Sequence, residues 1–150
     1  MKTLILILFT VLLSGPGLHA QRRVPVKKDS LLLGCILQQA VYQAEDKEPN
    51  VMGEKELKLV MSSLTDTTVR APIDLTVTTV RHTEDGRYEV VAFHQDYWLW
   101  FTGIEKVKAY KNQKFKKGDS LGFLENGKLL ELLVYDFETP LDPKKYLQCK

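Results

Sequence analysis

Histidine and cysteine are scarce in this chain, with three and two residues among 150. His19 falls in an apolar leader, which leaves His82 and His94 for chemistry. A zinc centre needs three or four converging His, Cys, Asp or Glu ligands. The chain contains no H-E-x-x-H and no H-x-H, so the usual zinc-binding spacings are excluded. No G-x-S-x-G is present either, and with it goes the strand–turn–helix nucleophile of many hydrolases. A cysteine nucleophile needs a base beside it, and Cys149 is the next-to-last residue. The missing N-x-S/T sequon excludes N-glycosylation. After the leader no apolar run is long enough to span a bilayer, so no membrane insertion is expected. Lys and Arg number 21 against 19 Asp and Glu, so net charge forces no nucleic acid partner.

What the chain does have begins with the leader itself. "MKTLILILFTVLLSGPGLHA" opens on Lys2, runs apolar from Leu4 to Leu13, breaks at "SGPG" and ends on the small residue Ala20. That pattern predicts a secretory signal peptide over residues 1–20, cleaved after Ala20, and hence an extracellular protein. The remainder has the length of one domain. "QRRVPVKK" then reads as a solvated terminus, or as a basic patch or processing site. In an oxidising compartment Cys35 and Cys149 can pair, stay free or link to another chain. If they pair, closing so long a loop would contribute about 4–5 kcal/mol, less any strain.

Two regions are expected beyond the leader. Residues 21–55 form a basic segment followed by a helix, and residues 56–150 form a β domain. The helix is expected in "KDSLLLGCILQQAVYQAEDKEPN", capped by Asp29 or Ser30 and stopped before Pro49. Leu33, Ile36 or Leu37, Ala40 and Ala44 recur at helical spacing. "GEKELKLVMSSL" fits a helix face and strand alternation equally well. From Thr67 onward, short runs rich in Val, Thr and aromatics alternate with turn signals such as Asp85-Gly86, Gly118-Asp119 and "ENG". Many short strands at even spacing predict a small sandwich or barrel.

Three groups of side chains are candidates for function. In "AFHQDYWLWF", Tyr97, Leu99 and Phe101 point one way on a strand, and Trp98 and Trp100 point the other. Either both faces are covered, or the tryptophans form a binding surface. Lys106, Lys108, Lys111, Lys114, Lys116 and Lys117 crowd one hairpin region. They suit an acidic receptor or sulfated glycan, or protect a sheet edge from aggregation. A metal site from His82, His94 and Asp96 would make the chain a hydrolase, but solvated strand faces explain these residues better. The same applies to Asp136 and Glu138 in "YDFE".

Two stretches carry a family resemblance. "TTVRAPIDLTVTTV" is similar to the strand entry T-V-x-A-P-x-x-G-x-V, and "FKKGDSLGFL" to V-K-K-G-D-x-(L/I)-G. Together they resemble the barrel-sandwich hybrid (duplicated hybrid motif) fold. The resemblance places Gly118 in a turn, gives Asp119 a local hydrogen-bonding role, and feeds Leu121 and Phe123 into the core. "GDSLGFLENGKLLEL" also looks like the lipoyl/biotinyl carrier domain, with Lys128 at the hairpin tip, but the leader directs the chain elsewhere and "ENGKLL" lacks the D-K-A core. The order of pieces from Glu56 to Leu147, including the closing "LDPKKYL", is closer to the lysostaphin-type zinc metallopeptidases. Among these it resembles their secreted animal relatives, the leukocyte cell-derived chemotaxin/Mim-1 group.

Those peptidases hold zinc through an H-x-x-x-D and an H-x-H. Laid on without gaps, these positions fall at Glu56 and Val60, and at Leu132 and Val134. Leu and Val cannot hold zinc, and without zinc there is no activated water. The resemblance therefore implies a degenerate, non-catalytic scaffold without a cofactor. It implies a chemotactic or immune-regulatory protein acting through a cell-surface receptor or glycan. Trp98, Trp100 and the lysines from Lys106 to Lys117 are the expected contacts. A matrix or reproductive-tract structural protein on the same scaffold is the further alternative.

Overall fold

The computed structural model describes residues 30–43 and 57–149. The signal peptide, the basic "QRRVPVKK" and Glu56 lie outside them. The regular secondary structure of the described residues is almost entirely β. In chain order the strands are β1 (Val41–Tyr42), β2 (Lys58–Ser62), β3 (Thr68–Arg70), β4 (Leu75–His82), β5 (Tyr88–His94), β6 (Tyr97–Ile104), β7 (Lys106–Val107), β8 (Lys114–Phe115), β9 (Ser120–Phe123), β10 (Leu130–Asp136) and β11 (Thr139–Leu141). One 3-10 turn, Pro143–Lys145, follows β11.

All named strand pairs are antiparallel. The large sheet runs β1-β2-β10-β6-β5-β4-β8, and β11 pairs with the end of β10. A smaller sheet runs β3-β9-β7. Alternation assigns one face of the large sheet to the core. Leu59 and Met61 of β2, Leu130, Leu132 and Val134 of β10, Leu99 and Phe101 of β6, and Val90 and Ala92 of β5 are all buried there. Val69 and Leu121 of the small sheet complete the same cluster. The ambiguous "GEKELKLVMSSL" is therefore a strand where it is described, on the Leu59 and Met61 alternation.

The expected helix over "KDSLLLGCILQQAVYQ" does not form in residues 30–43; its continuation lies outside the described residues. Leu33, Ile36 and Leu37 are buried as a helical stripe would require, but their backbone groups pair with distant chain. Leu33 N–H donates to Tyr146 O, Gln148 N–H to Leu33 O, Gly34 N–H to Pro72 O, and Arg70 N–H to Ile36 O. Asp66 also accepts from Gln38 N–H at 2.6 Å. These remote partners replace the i to i−4 ladder, so tertiary pairing overrides local spacing. Cys35 and Cys149 form a disulfide across a separation of 114 residues, resolving the three possibilities left open by the sequence.

The two motif stretches meet in space. Ala71 N–H donates to Asp119 O, and Gly118 N–H to Ala71 O, both at 2.8 Å. Gly118 has φ +93°, a left-handed conformation that glycine adopts without strain. The Asp119 carboxylate accepts from Lys116 N–H at 2.8 Å, as the resemblance implied. Leu121 is fully buried. Phe123 is not a core residue: it is half-buried, and the Lys108 ammonium lies 4.5 Å over its ring.

Candidate aromatic groove on the open face

The second face of the large sheet is the candidate site. Each core residue of β10 is flanked by one of Glu131, Leu133 and Tyr135, which point the other way. Cross-strand pairing lines them up with Thr102, Trp100 and Trp98 of β6. Those in turn face Glu89, Val91 and Phe93 of β5. The sequence separated the two faces of β6 correctly: Tyr97, Leu99 and Phe101 are buried, while Trp98 is 38% exposed. The tryptophan face is the open one.

Val91, Trp98, Trp100, Tyr135, Phe137 and Glu138 enclose a cleft of about 270 Å³. Its rings pack without stacking flat. Phe93 and Trp98 are 5.9 Å apart at 48°, and Trp100 and Tyr135 are 6.5 Å apart at 62°. The Arg81 guanidinium lies over the Trp100 ring at 5.9 Å from its centroid. Glu89 holds that guanidinium through Nε at 2.8 Å. Trp100 is thus a fixed wall and Trp98 the accessible one. Trp100 Nε1 is buried with no hydrogen-bond acceptor among the described residues. Phe137, with φ +52°, turns the chain between β10 and β11 and delivers Glu138 to the cleft. Asp136 ends β10 while Glu138 lies in that turn, so the two do not share a strand face as expected. Phe137, Tyr135 and Glu138 were not expected in the site. The alternation of β10 would have revealed Tyr135; the left-handed turn at Phe137 has no sequence signal.

The strands assigned zinc ligands by the resemblance, β2 and β10, are hydrogen-bonded neighbours. Leu132 and Val134 are fully buried in the core, opposite Phe101 and Leu99. The ungapped register thus lands on the inward face of β10, whereas Val60 of β2 lies on the outward face. On β10 the open face is one residue along. Lys58, Val60, Glu131 and Leu133 stand there, with Lys58 Nζ 3.3 Å from a Glu131 carboxylate oxygen. His82 pairs with Tyr88 at one end of the β4–β5 hairpin, whereas His94 sits six residues farther along β5. That is about 20 Å of strand, too far to share one ion. His94 Nδ1 lies 2.6 Å from Asp74 O.

The lysines do not form one patch. Lys106 and Lys108 belong to the small-sheet side, and Lys111 to the turn before β8. Lys114 is on β8, opposite Thr76 at the edge of the large sheet. Lys116 and Lys117 tie down the turn. The Lys116 ammonium lies 2.8 Å from Asp74, and Lys117 N–H donates to the same carboxylate. These hydrogen bonds hold the Asp74 carboxyl below its usual range, and that of Asp74 raises the Lys116 ammonium above its own. Lys114 lies in register with the tryptophan face, and Lys116 borders the same cleft.

No family model matches the chain, and no curated protein matches its sequence. Solved structures do. Helicobacter pylori Csd3 superposes with TM-score 0.64 at 15% identity, over 79% of this chain and 33% of that one. The chain therefore spans one third of that protein. The catalytic domain of the antimicrobial peptidase lysostaphin from Staphylococcus simulans gives TM-score 0.55 at 14% identity, over 73% and 91%. The fold is lysostaphin-type. The SpoIIQ–SpoIIIAH pore-forming complex matches at TM-score 0.61 and 11% identity, over 79% and 93%. A lysostaphin-type fold is thus shared by a peptidase and by a pore-forming assembly, so the function of this chain must be read from its own side chains.

Proposed function

We propose that this chain is a secreted, non-catalytic binding or signalling protein that acts through a cell-surface receptor or glycan. The carrying observation is the open face where β2 meets β10. There the Lys58 ammonium already occupies the Glu131 carboxylate. A fixed positive charge repels a metal ion, and the neighbouring Val60 and Leu133 offer no ligand atoms. Beside this pair the same face carries the aromatic cleft around Trp98 and Trp100. Aromatic side chains in a partly open pocket are the usual anchors of a binding surface.

Secretion is supported by the leader and by the Cys35–Cys149 disulfide. Among the described residues no helix is long and apolar enough to cross a membrane. We read the two packed sheets as the barrel-sandwich hybrid arrangement. The closing "LDPKKYL" supports kinship with the chemotaxin/Mim-1 group. Asp142 caps the 3-10 turn through Lys144 N–H at 3.1 Å, and Leu147 bridges to Leu33.

Purified mature protein tests the reading. It should contain far less than one zinc per chain, and its binding to responsive cells should fall at least tenfold in a Trp98→Ala, Trp100→Ala double variant that keeps its melting temperature. One zinc per chain, whichever residues hold it, would replace this reading with a metal-dependent hydrolase. Unchanged cell binding by the tryptophan variant would remove the site assignment.

A further inference from the structure

The open face carries a row of side chains set across the strands. Tyr135 of β10 faces Trp98 of β6, Trp98 faces Phe93 of β5, Phe93 faces Thr76 of β4, and Thr76 faces Lys114 of β8. Register places all five on one line. Four interstrand steps make it about 19 Å long. Its two ends differ in charge. At the Tyr135 end, Glu138 stands beside Trp98 in the cleft. At the other, Phe93, Thr76 and Lys114 border a second cleft of about 310 Å³ that also includes Asp74, His94 and Lys116. Lys116 is committed to Asp74, whereas no ion pair is recorded for the exposed Lys114 among the described residues.

We propose that this row binds a short acidic oligosaccharide laid across the strands, with a pyranose ring on Trp98 and a carboxylate of an acidic sugar at Lys114. The assignment rests on the binding-protein reading above and names its ligand class. Three observations favour it. An exposed indole flanked by other rings offers an apolar platform to the C–H face of a sugar. Glu138 at the same end accepts hydroxyl hydrogen bonds but repels an anion, so the neutral sugar belongs there and the acidic one at the far end. The cationic end holds one uncommitted ammonium, which matches a single carboxylate. A densely sulfated chain would need the lysines gathered, and the fold distributes them over two sheets and a turn. An extended peptide offers a ring to Trp98 only where a proline or aromatic residue falls at that point, whereas every sugar unit presents one.

Calorimetric titration of the full mature chain tests this with a hyaluronan hexasaccharide, a neutral chitin hexasaccharide and a heparin hexasaccharide. The hyaluronan probe should bind most tightly, and its affinity should fall as salt rises. Trp98→Ala should weaken both hyaluronan and chitin probes at least tenfold, and Trp98→Tyr should restore part of the loss. Lys114→Gln, at an exposed position, should weaken the hyaluronan probe about threefold to tenfold and leave the chitin probe unchanged. Equal binding of acidic and neutral probes, or no effect of Lys114→Gln, overturns the proposal. So does tighter heparin binding that is lost in a Lys106→Gln, Lys108→Gln variant, or binding of extended acidic peptides in place of all three sugars. If Trp98 is required for cell binding while no oligosaccharide binds, the ligand class fails and the binding-protein reading stands.

Discussion

Strand β10 shows the two faces of the large sheet side by side. Leu130, Leu132 and Val134 are fully buried, while Glu131, Leu133 and Tyr135 are only partly covered. The inward set is uniformly aliphatic and faces other aliphatic groups and Phe101. The outward set mixes a carboxylate, an aliphatic chain and a phenol. The two sets alternate along β10, so parity decides which side chains face the core. A shift of one residue exchanges the two sets. The inward set holds the domain together, and the outward set is available for recognition.

The sharpest way to break this comparison is to place the same charge on each face. Leu132→Asp buries a carboxylate without a partner and should cost about 4 kcal/mol or more, enough to unfold a marginal domain. Leu133→Asp, one residue along, should leave a cooperative denaturation curve with a much smaller shift. Equal losses in the two variants would show that the outward face is as closed as the core. A second, smaller effect concerns the outward ion pair. Lys58 and Glu131 are partly exposed, so a double-mutant cycle on their alanine variants should give a coupling of about 1 kcal/mol or less. A larger coupling would mean that the pair is shielded from water and that the open face is narrower than drawn.

The smallest effect is expected at the rim, where Asp85 closes the β4–β5 hairpin. Hydrogen bonds from Thr83 and Arg87 hold its carboxyl at about 2, below the value of about 3.9 for an unperturbed aspartate. A depressed folded-state value favours the folded state when the group is ionised. Its contribution is complete above about pH 4 and is lost as the pH falls through about 2. Asp85→Asn should lower the melting temperature slightly above about pH 4 and converge with the parent protein below about pH 2, which flattens the acid limb in that window. An unaltered acid limb would remove Asp85 from the acid-sensitive set, leaving Asp74 and Asp66, whose carboxyls are also held low. Burial opposes this at Asp66, but the hydrogen bonds from Arg70, Gln38 and Thr68 prevail.

Much of the β region was legible in the sequence. The alternation of "YWLWF" sorted the side chains onto two faces correctly but left open which face is exposed, and the Gly118-Asp119 turn formed with the expected hydrogen bond. Those features are local: they depend on period two and on backbone angles that one or two residues determine. The helix expected from Ser30 failed because Leu33 and Ile36 satisfy their backbones with residues 146, 148 and 70, pairings that no window on the sequence contains. The ungapped zinc positions split between the faces, with Leu132 and Val134 inward and Val60 outward. A motif laid on without gaps takes no account of the left-handed turn at Phe137, which separates β10 from β11. The aromatic row was invisible for the same cause, since it joins five strands in register, and register is a property of the folded sheet.

The disulfide beside Leu33 has a mechanical consequence. Cys35 and Cys149 have Cα atoms 4.8 Å apart, and the Leu33–Leu147 bridge lies alongside in the same direction. A pull applied to the chain on either side of this clasp runs through the covalent bond and bypasses the sheets. The open face therefore keeps its shape while the clasp is loaded. Reduction would move the load onto the hydrogen bonds between Leu33, Tyr146 and Gln148, which act in shear and would yield before any strand of the large sheet.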